Sequence, residues 1–153
     1  VLLRFAHAML SANPRTTEVF AVGTEHVRLT RSMIGRRPQG AVRAAGRVRT
    51  DWSGGTELGV ALTGFLRRWA GTQVVRSATV IFASDGIDQS SHTEMVRQVE
   101  RIAVLARTLI WANPGGYRSV DVHIARAQDA AARVLGCHDY RALRELAKVI
   151  THA

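Results

Sequence analysis

Cysteine is almost missing: the 153-residue chain has one, Cys137. That excludes an internal disulfide framework and a multi-cysteine zinc site, and makes a reducing cytosol (a cytoplasmic protein) the expected compartment. Lysine is as scarce. Lys148 is the sole lysine among 21 cations, the rest being arginine. So strong a preference for arginine matches a GC-rich coding sequence, so the high pI alone does not define a binding face. No apolar run approaches the ~18 residues of a membrane span; Ala78–Ala83 is among the longest. The start, Val1-Leu2-Leu3-Arg4-Phe5-Ala6, has no basic segment leading into a long apolar stretch, so no signal peptide is expected. The phosphate-loop, dinucleotide, nucleophile-elbow and zinc-protease patterns are all absent. The six histidines are scattered without ligand spacing. Cys137, His138 and Asp139 are chain neighbours and do not face one another on a helix, so they form no catalytic thiol site. His7, beside an apolar helix face, reads as a packed histidine.

What is present describes a folded protein. Hydrophobic residues make up 46% and charged residues 22%, enough for one domain over 1–153 with its own core. Positive charge is uneven: residues 1–76 balance to +8 and residues 77–153 to +1. Seven arginines, at 28, 31, 36, 37, 43, 47 and 49, occur between Arg28 and Arg49 with no acid among them. This stretch is a phosphate-binding stripe, a docking face for an acidic protein, or a solvated surface helix with its loops. No aromatic residue interrupts it, so stacking on single-stranded nucleic acid has no support there.

Periodicity sets the elements. Leu2, Leu3, Phe5, Ala6, Met9 and Leu10 predict a helix that Asn13-Pro14 stops. Residues 17–23 and 27–30 predict two strands joined by Gly23-Thr24-Glu25. Residues 31–50 predict a short helix and loops. Asp51–Thr56 is a loop that opens a helix carrying the stripe Leu58, Ala61, Leu62, Phe65, Leu66 and Trp69. Residues 77–84 and 108–112 predict strands apolar on both faces, as under helices on both sides. Ser91 and Glu94 have capping-box spacing for a helix to about Arg107. Helices over about 121–134 and 140–150 close the chain, with a short strand around Arg133–Gly136. Strands alternating with helices predict an α/β fold with an open, mostly parallel sheet.

Ligands of such sheets bind at the carboxyl ends of strands. Asp85 ends the 77–84 strand, and Ser53-Gly54-Gly55-Thr56 is a glycine-opened turn before a helix. A carboxylate and a hydroxyl are hard oxygen donors of the kind that suit Mg²⁺ with retained waters. Thr56 also fits a plain helix cap. Asp88, just beyond the Asp85 turn, either adds charge to the site or is a solvated loop acid.

The runs Leu2–Ala8, Glu18-Val19-Phe20 with Gly23-Thr24, Asp51–Gly59, Phe65–Arg68, Ser84–Asp88 and Leu109–Pro114, in order along nearly the whole chain, resemble the CoxE-like von Willebrand factor A (VWA) domains. The Asp51–Thr56 loop is the most specific of them. The resemblance implies a Rossmann-like sheet with a metal-ion-dependent adhesion site at its carboxyl edge, usually holding Mg²⁺. That site takes an Asp-x-Ser-x-Ser loop, a threonine matched by Thr56 and an aspartate matched by Asp85, and a partner's carboxylate completes the shell. The first strand and the Asp-x-Ser-x-Ser loop would precede Val1, so the domain is expected to be N-terminally incomplete and to hold Mg²⁺ weakly. The resemblance further implies a bacterial, non-enzymatic accessory protein. It would serve a carbon monoxide dehydrogenase-type molybdenum hydroxylase precursor together with a MoxR-type AAA+ ATPase. The alternatives are an inactive truncated remnant and a nucleic-acid-binding module acting through Arg28–Arg49. A hydrolase or transferase lacks a nucleophile–base arrangement.

Overall fold

The computed structural model describes residues 1–48, 57–86, 92–115 and 121–151. In chain order the elements are α1 (Leu2–Ala12), β1 (Phe20–Val22), β2 (His26–Arg28), α2 (Thr30–Met33), α3 (Pro38–Val48), α4 (Leu58–Trp69), β3 (Thr79–Ala83), α5 (His92–Leu105), β4 (Thr108–Asn113), α6 (Val122–Asp129), β5 (Arg133–Gly136) and α7 (Tyr140–Thr151).

Strands β3, β4 and β5 form a parallel sheet in that order, with Phe82 opposite Trp111 and Trp111 opposite Val134. β1 and β2 form a separate antiparallel hairpin with Ala21 opposite Val27. The alternation of side chains along β4 decides which helices lie where. Leu109 and Trp111 join a cluster built from Leu58, Leu62 and Leu66 of α4, Met95, Val99 and Ile102 of α5, and Ile124 of α6. Ile110 and Ala112 face the other way, into Leu143 and Leu146 of α7 and Leu2 and Phe5 of α1. Both faces are therefore apolar because both are covered, as expected of this sheet class. β4 is the central strand of the three. β3, the stronger strand in sequence, is less enclosed: Phe82 is buried but Thr79, Val80 and Ile81 are half-buried. Among the described residues only one edge of β3 is paired.

The hairpin is held by aromatic contacts. Phe20 meets Phe65 edge-on at 5.1 Å and Trp69 at 5.5 Å, both on α4. Such pairs contribute about 0.5–1.5 kcal/mol each beyond area burial. Its other side packs Val19 and Ala21 against Leu10 of α1, Met33 of α2, and Ala41 and Ala45 of α3.

Several predicted bounds shift for local reasons. The second strand stops at Arg28, because Leu29 and Thr30 turn into α2. Thr30 Oγ1 accepts from the Val19 N–H at 2.9 Å, which ends the first strand's ladder with a side chain. Residues 38–48 form an 11-residue helix rather than a short helix among loops. Pro38 suits its first turn, and its inner stripe is only two alanines, Ala41 and Ala45. The helix expected over 121–134 ends at Asp129, and β5 follows. Ser91 lies outside the described residues. Glu94 accepts from Thr63 Oγ1 at 3.0 Å and Gln98 Nε2 at 2.6 Å, linking α5 to α4. No helix among the described residues is long and apolar enough to cross a membrane.

Candidate functional site

Asp85 lies where the sequence places it, in the turn at the carboxyl end of β3, and its side chain is exposed. The turn is held from three sides. The Ser84 N–H donates to the Ala112 carbonyl at 3.1 Å, and the Trp111 indole N–H donates to the Ser84 carbonyl at 2.8 Å. The Gly86 N–H donates to Ser84 Oγ at 2.9 Å. Gly86 has φ +83°, and a Cβ there would come within 2.4 Å of Ile124 Cγ2. Only glycine satisfies both demands. The Asp85 backbone is thus fixed between a β4 indole and α6.

Other chain ends gather at the same edge. Glu57 N–H donates to the Gly23 carbonyl at 3.1 Å, which ties the start of α4 to the end of the hairpin's first strand. Gly59, in the first turn of α4, packs so closely on α5 that a Cβ would lie 3.0 Å from Glu94 Cβ and from the Met95 nitrogen. At the start of α6, Asp121 caps the helix, accepting from the His123 N–H at 2.8 Å and the Ile124 N–H at 3.1 Å. Those two backbone donors, Ile124 first, hold its carboxyl below the usual carboxylate range. His92 and His123 stack with centroids 5.5 Å apart. Asn113, buried at the carboxyl end of β4, accepts from the Gly115 N–H at 2.8 Å through Oδ1.

Thr56, Ser53, Gly54, Gly55 and Asp88 lie outside the described residues, as does Arg49. Among the described residues no group of three or more His, Cys, Asp and Glu side chains could hold a metal ion. His7 is buried, and its Nε2 donates to the Arg36 carbonyl at 2.8 Å. Cys137 is buried, and desolvation pushes its thiol pKa up, the opposite of an activated nucleophile. Trp111 is wholly buried and Trp69 packs on the hairpin, so both act as anchors; Trp52 lies outside the described residues.

The arginine stretch divides. Arg28 pairs with Glu18, its Nε donating to Oε2 at 2.8 Å, and its guanidinium lies 5.3 Å from the Trp69 ring centroid. It belongs to the hairpin, not to a basic stripe. Arg31, Arg36, Arg37, Arg43 and Arg47 are exposed, with no ion pair among the described residues. Arg36, Arg43 and Arg47 line one hollow of about 400 Å³ with Ser32, Gly40, Ala44 and Val48. Spacing groups all seven arginines because it cannot show which one an acid upstream neutralises.

A parallel sheet sandwiched by helices, with a carboxylate on a rigid turn at its carboxyl edge, is the architecture of a von Willebrand factor A-type domain. The solved structure "von Willebrand factor type A from Catenulispora acidiphila" has this fold, with a TM-score of 0.61 and 18% identity. The match covers 97% of this chain and 35% of that one, so the present chain spans about a third of its length. The family described as "VWA domain containing CoxE-like protein" matches residues 1–148, and the chain belongs to it. No curated protein matches the sequence.

Proposed function

We propose that the chain is a non-enzymatic, metal-dependent protein-binding domain. In this reading Asp85 and Thr56 each give one oxygen to a Mg²⁺ at the sheet's carboxyl edge, and a partner's carboxylate completes the shell. The observation that carries the reading is the placement of Asp85. It is an exposed carboxylate on a turn locked by the Trp111–Ser84 hydrogen bond and by the close approach of Ile124 to Gly86. A site that must be ready for a visitor's oxygen needs the backbone that carries its own carboxylate held in advance, and this turn does that. A single described carboxylate fits a hard cation but is a minority of its shell, so most remaining positions fall to water and the partner. Held there, the cation would supply positive charge that offsets the repulsion between Asp85 and a partner's carboxylate.

Membership of the CoxE-like family supports an accessory role for a carbon monoxide dehydrogenase-type molybdenum hydroxylase, with a MoxR-type AAA+ ATPase as the second partner. The experiment has two arms. Mn²⁺, used as the probe for Mg²⁺, is titrated by water-proton relaxation into the wild-type chain and into Asp85→Ala and Thr56→Ala. Each substitution should weaken Mn²⁺ binding by about tenfold or more. Co-purification with the ATPase is then compared in Mg²⁺ and in EDTA. Binding that ignores both EDTA and Asp85→Ala overturns the reading.

A further inference from the structure

Helix α3 turns two unlike faces outward and inward. Its inner face, Ala41 and Ala45, is fully buried against α1 and α2. Its outer face carries Gly40, Arg43, Ala44 and Arg47 at helical spacing, with Arg36 just ahead of the first turn. His7 pins that lead-in by donating to the Arg36 carbonyl. Small residues alternate with arginines, so the guanidiniums stand around a low floor of Gly40, Ala44 and Val48. Gly40 does not need to be glycine for its backbone: an added Cβ would meet only Arg36 Cβ, at 4.0 Å. Its smallness leaves space and nothing else.

We propose that this hollow docks an acidic segment of a partner protein, with carboxylates on Arg36, Arg43 and Arg47 and an apolar side chain on the Gly40–Ala44–Val48 floor. The hollow's lining shares no residue with the Asp85 turn, and the proposal goes beyond the function proposed above. Charge complementarity selects an anion. All three guanidiniums are exposed and lack an ion pair among the described residues, and a guanidinium matches a carboxylate with two parallel hydrogen bonds. The apolar floor selects protein over nucleic acid. Phosphates have no use for such a floor, and the stretch from Arg28 to Arg49 has no aromatic residue on which a base could stack. Val48, 45% exposed at the end of the floor, is the kind of apolar side chain a partner would cover.

The probe is a short fluorescein-labelled helical peptide with glutamates at i and i+4 around a leucine, read by anisotropy on the full chain. Polyglutamate and duplex DNA serve as the competing occupants. The Glu/Leu peptide should bind more tightly than either. Arg43→Glu with Arg47→Glu should weaken it by about tenfold or more, and a Lys/Leu peptide should bind that double variant instead. Gly40→Leu, whose Cβ would meet only Arg36 Cβ and whose bulk enters the floor, should weaken the Glu/Leu peptide and leave polyglutamate unchanged. Far-ultraviolet circular dichroism checks that each variant keeps its helix content. EDTA should leave binding of the Glu/Leu peptide unchanged, which separates this proposal from the metal site. Equal binding of polyglutamate and the Glu/Leu peptide, with no effect of Gly40→Leu, overturns it as general attraction. Tighter binding of DNA, with a steep loss in salt, overturns it in favour of a phosphate-binding face.

Discussion

The indole of Trp111 donates to the carbonyl of Ser84 across 2.8 Å, so the largest fully buried side chain of β4 holds the residue just before Asp85. Core and candidate site are thereby one mechanical unit. Trp111→Phe keeps an aromatic ring but loses that donor and leaves a void. Stability should fall by about 2 kcal/mol, from the lost hydrogen bond and the cavity together. Urea denaturation measures it. Mn²⁺ affinity should fall as well, which a purely structural role for the tryptophan would not require.

Gly86 offers a cleaner test of the same turn. Gly86→Ala combines a φ of +83° with a Cβ only 2.4 Å from Ile124 Cγ2. It should cost about 2 kcal/mol or more. Ile124→Ala removes the colliding carbons, so the double variant should be less destabilised than the sum of the two singles. A double-mutant cycle in urea reads this coupling. Strict additivity would mean that the backbone angle alone sets the cost.

Glu18 predicts an acid-dependent contribution from the hairpin. The hydrogen bond from Arg28 is the largest cause holding its carboxyl below the usual carboxylate range. Thr30 and Arg31 add to it against some desolvation. The Arg28 pKa shifts upward for the same pairing, so the two partners agree in direction. The folded-state pKa lies below the unfolded one. The stabilisation is therefore complete above the unfolded carboxylate pKa and is lost as pH falls through the folded one. Because the pair is partly exposed, about 0.5–1 kcal/mol is expected. Glu18→Gln should be less stable than wild type by that amount near about pH 7, and the difference should close as pH falls through the folded-state pKa and the carboxyl is protonated.

Cys137 should be silent in the folded chain. It is 2% exposed, and burial raises its thiol pKa. Ellman's reagent should label it only after denaturant unfolds the protein, with a labelling rate in native buffer set by the opening equilibrium. Rapid labelling in native buffer would show that the 133–139 region opens locally.

Much of the fold is visible in residue order because the strongest signals are local. The stripe Leu58–Leu66 is a helix face and packs as one. The apolar stretches within 77–84 and 108–112 are strands, the second enclosed and the first only half-buried, and Asp85 follows the first of them. α3 is faint in the sequence because a two-alanine inner face gives almost no periodic contrast beside so many arginines. Its burial depends on how near α1 and α2 come, not on its own hydrophobicity. The importance of Gly86 was equally hidden, since a glycine that ends a strand looks the same whether or not Ile124 presses on it.

Sequence by itself determined that this is an α/β domain of the CoxE-like VWA kind with a carboxylate at a strand's end. Period, turn residues and motif order are properties of neighbours along the chain, and they survive without a third dimension. Only the tertiary structure decided that Trp111 grips the Asp85 turn, that Arg28 is already claimed by Glu18, and that Arg36, Arg43 and Arg47 share one hollow. Those are distances between segments far apart in sequence, and packing of the two sheet faces sets them.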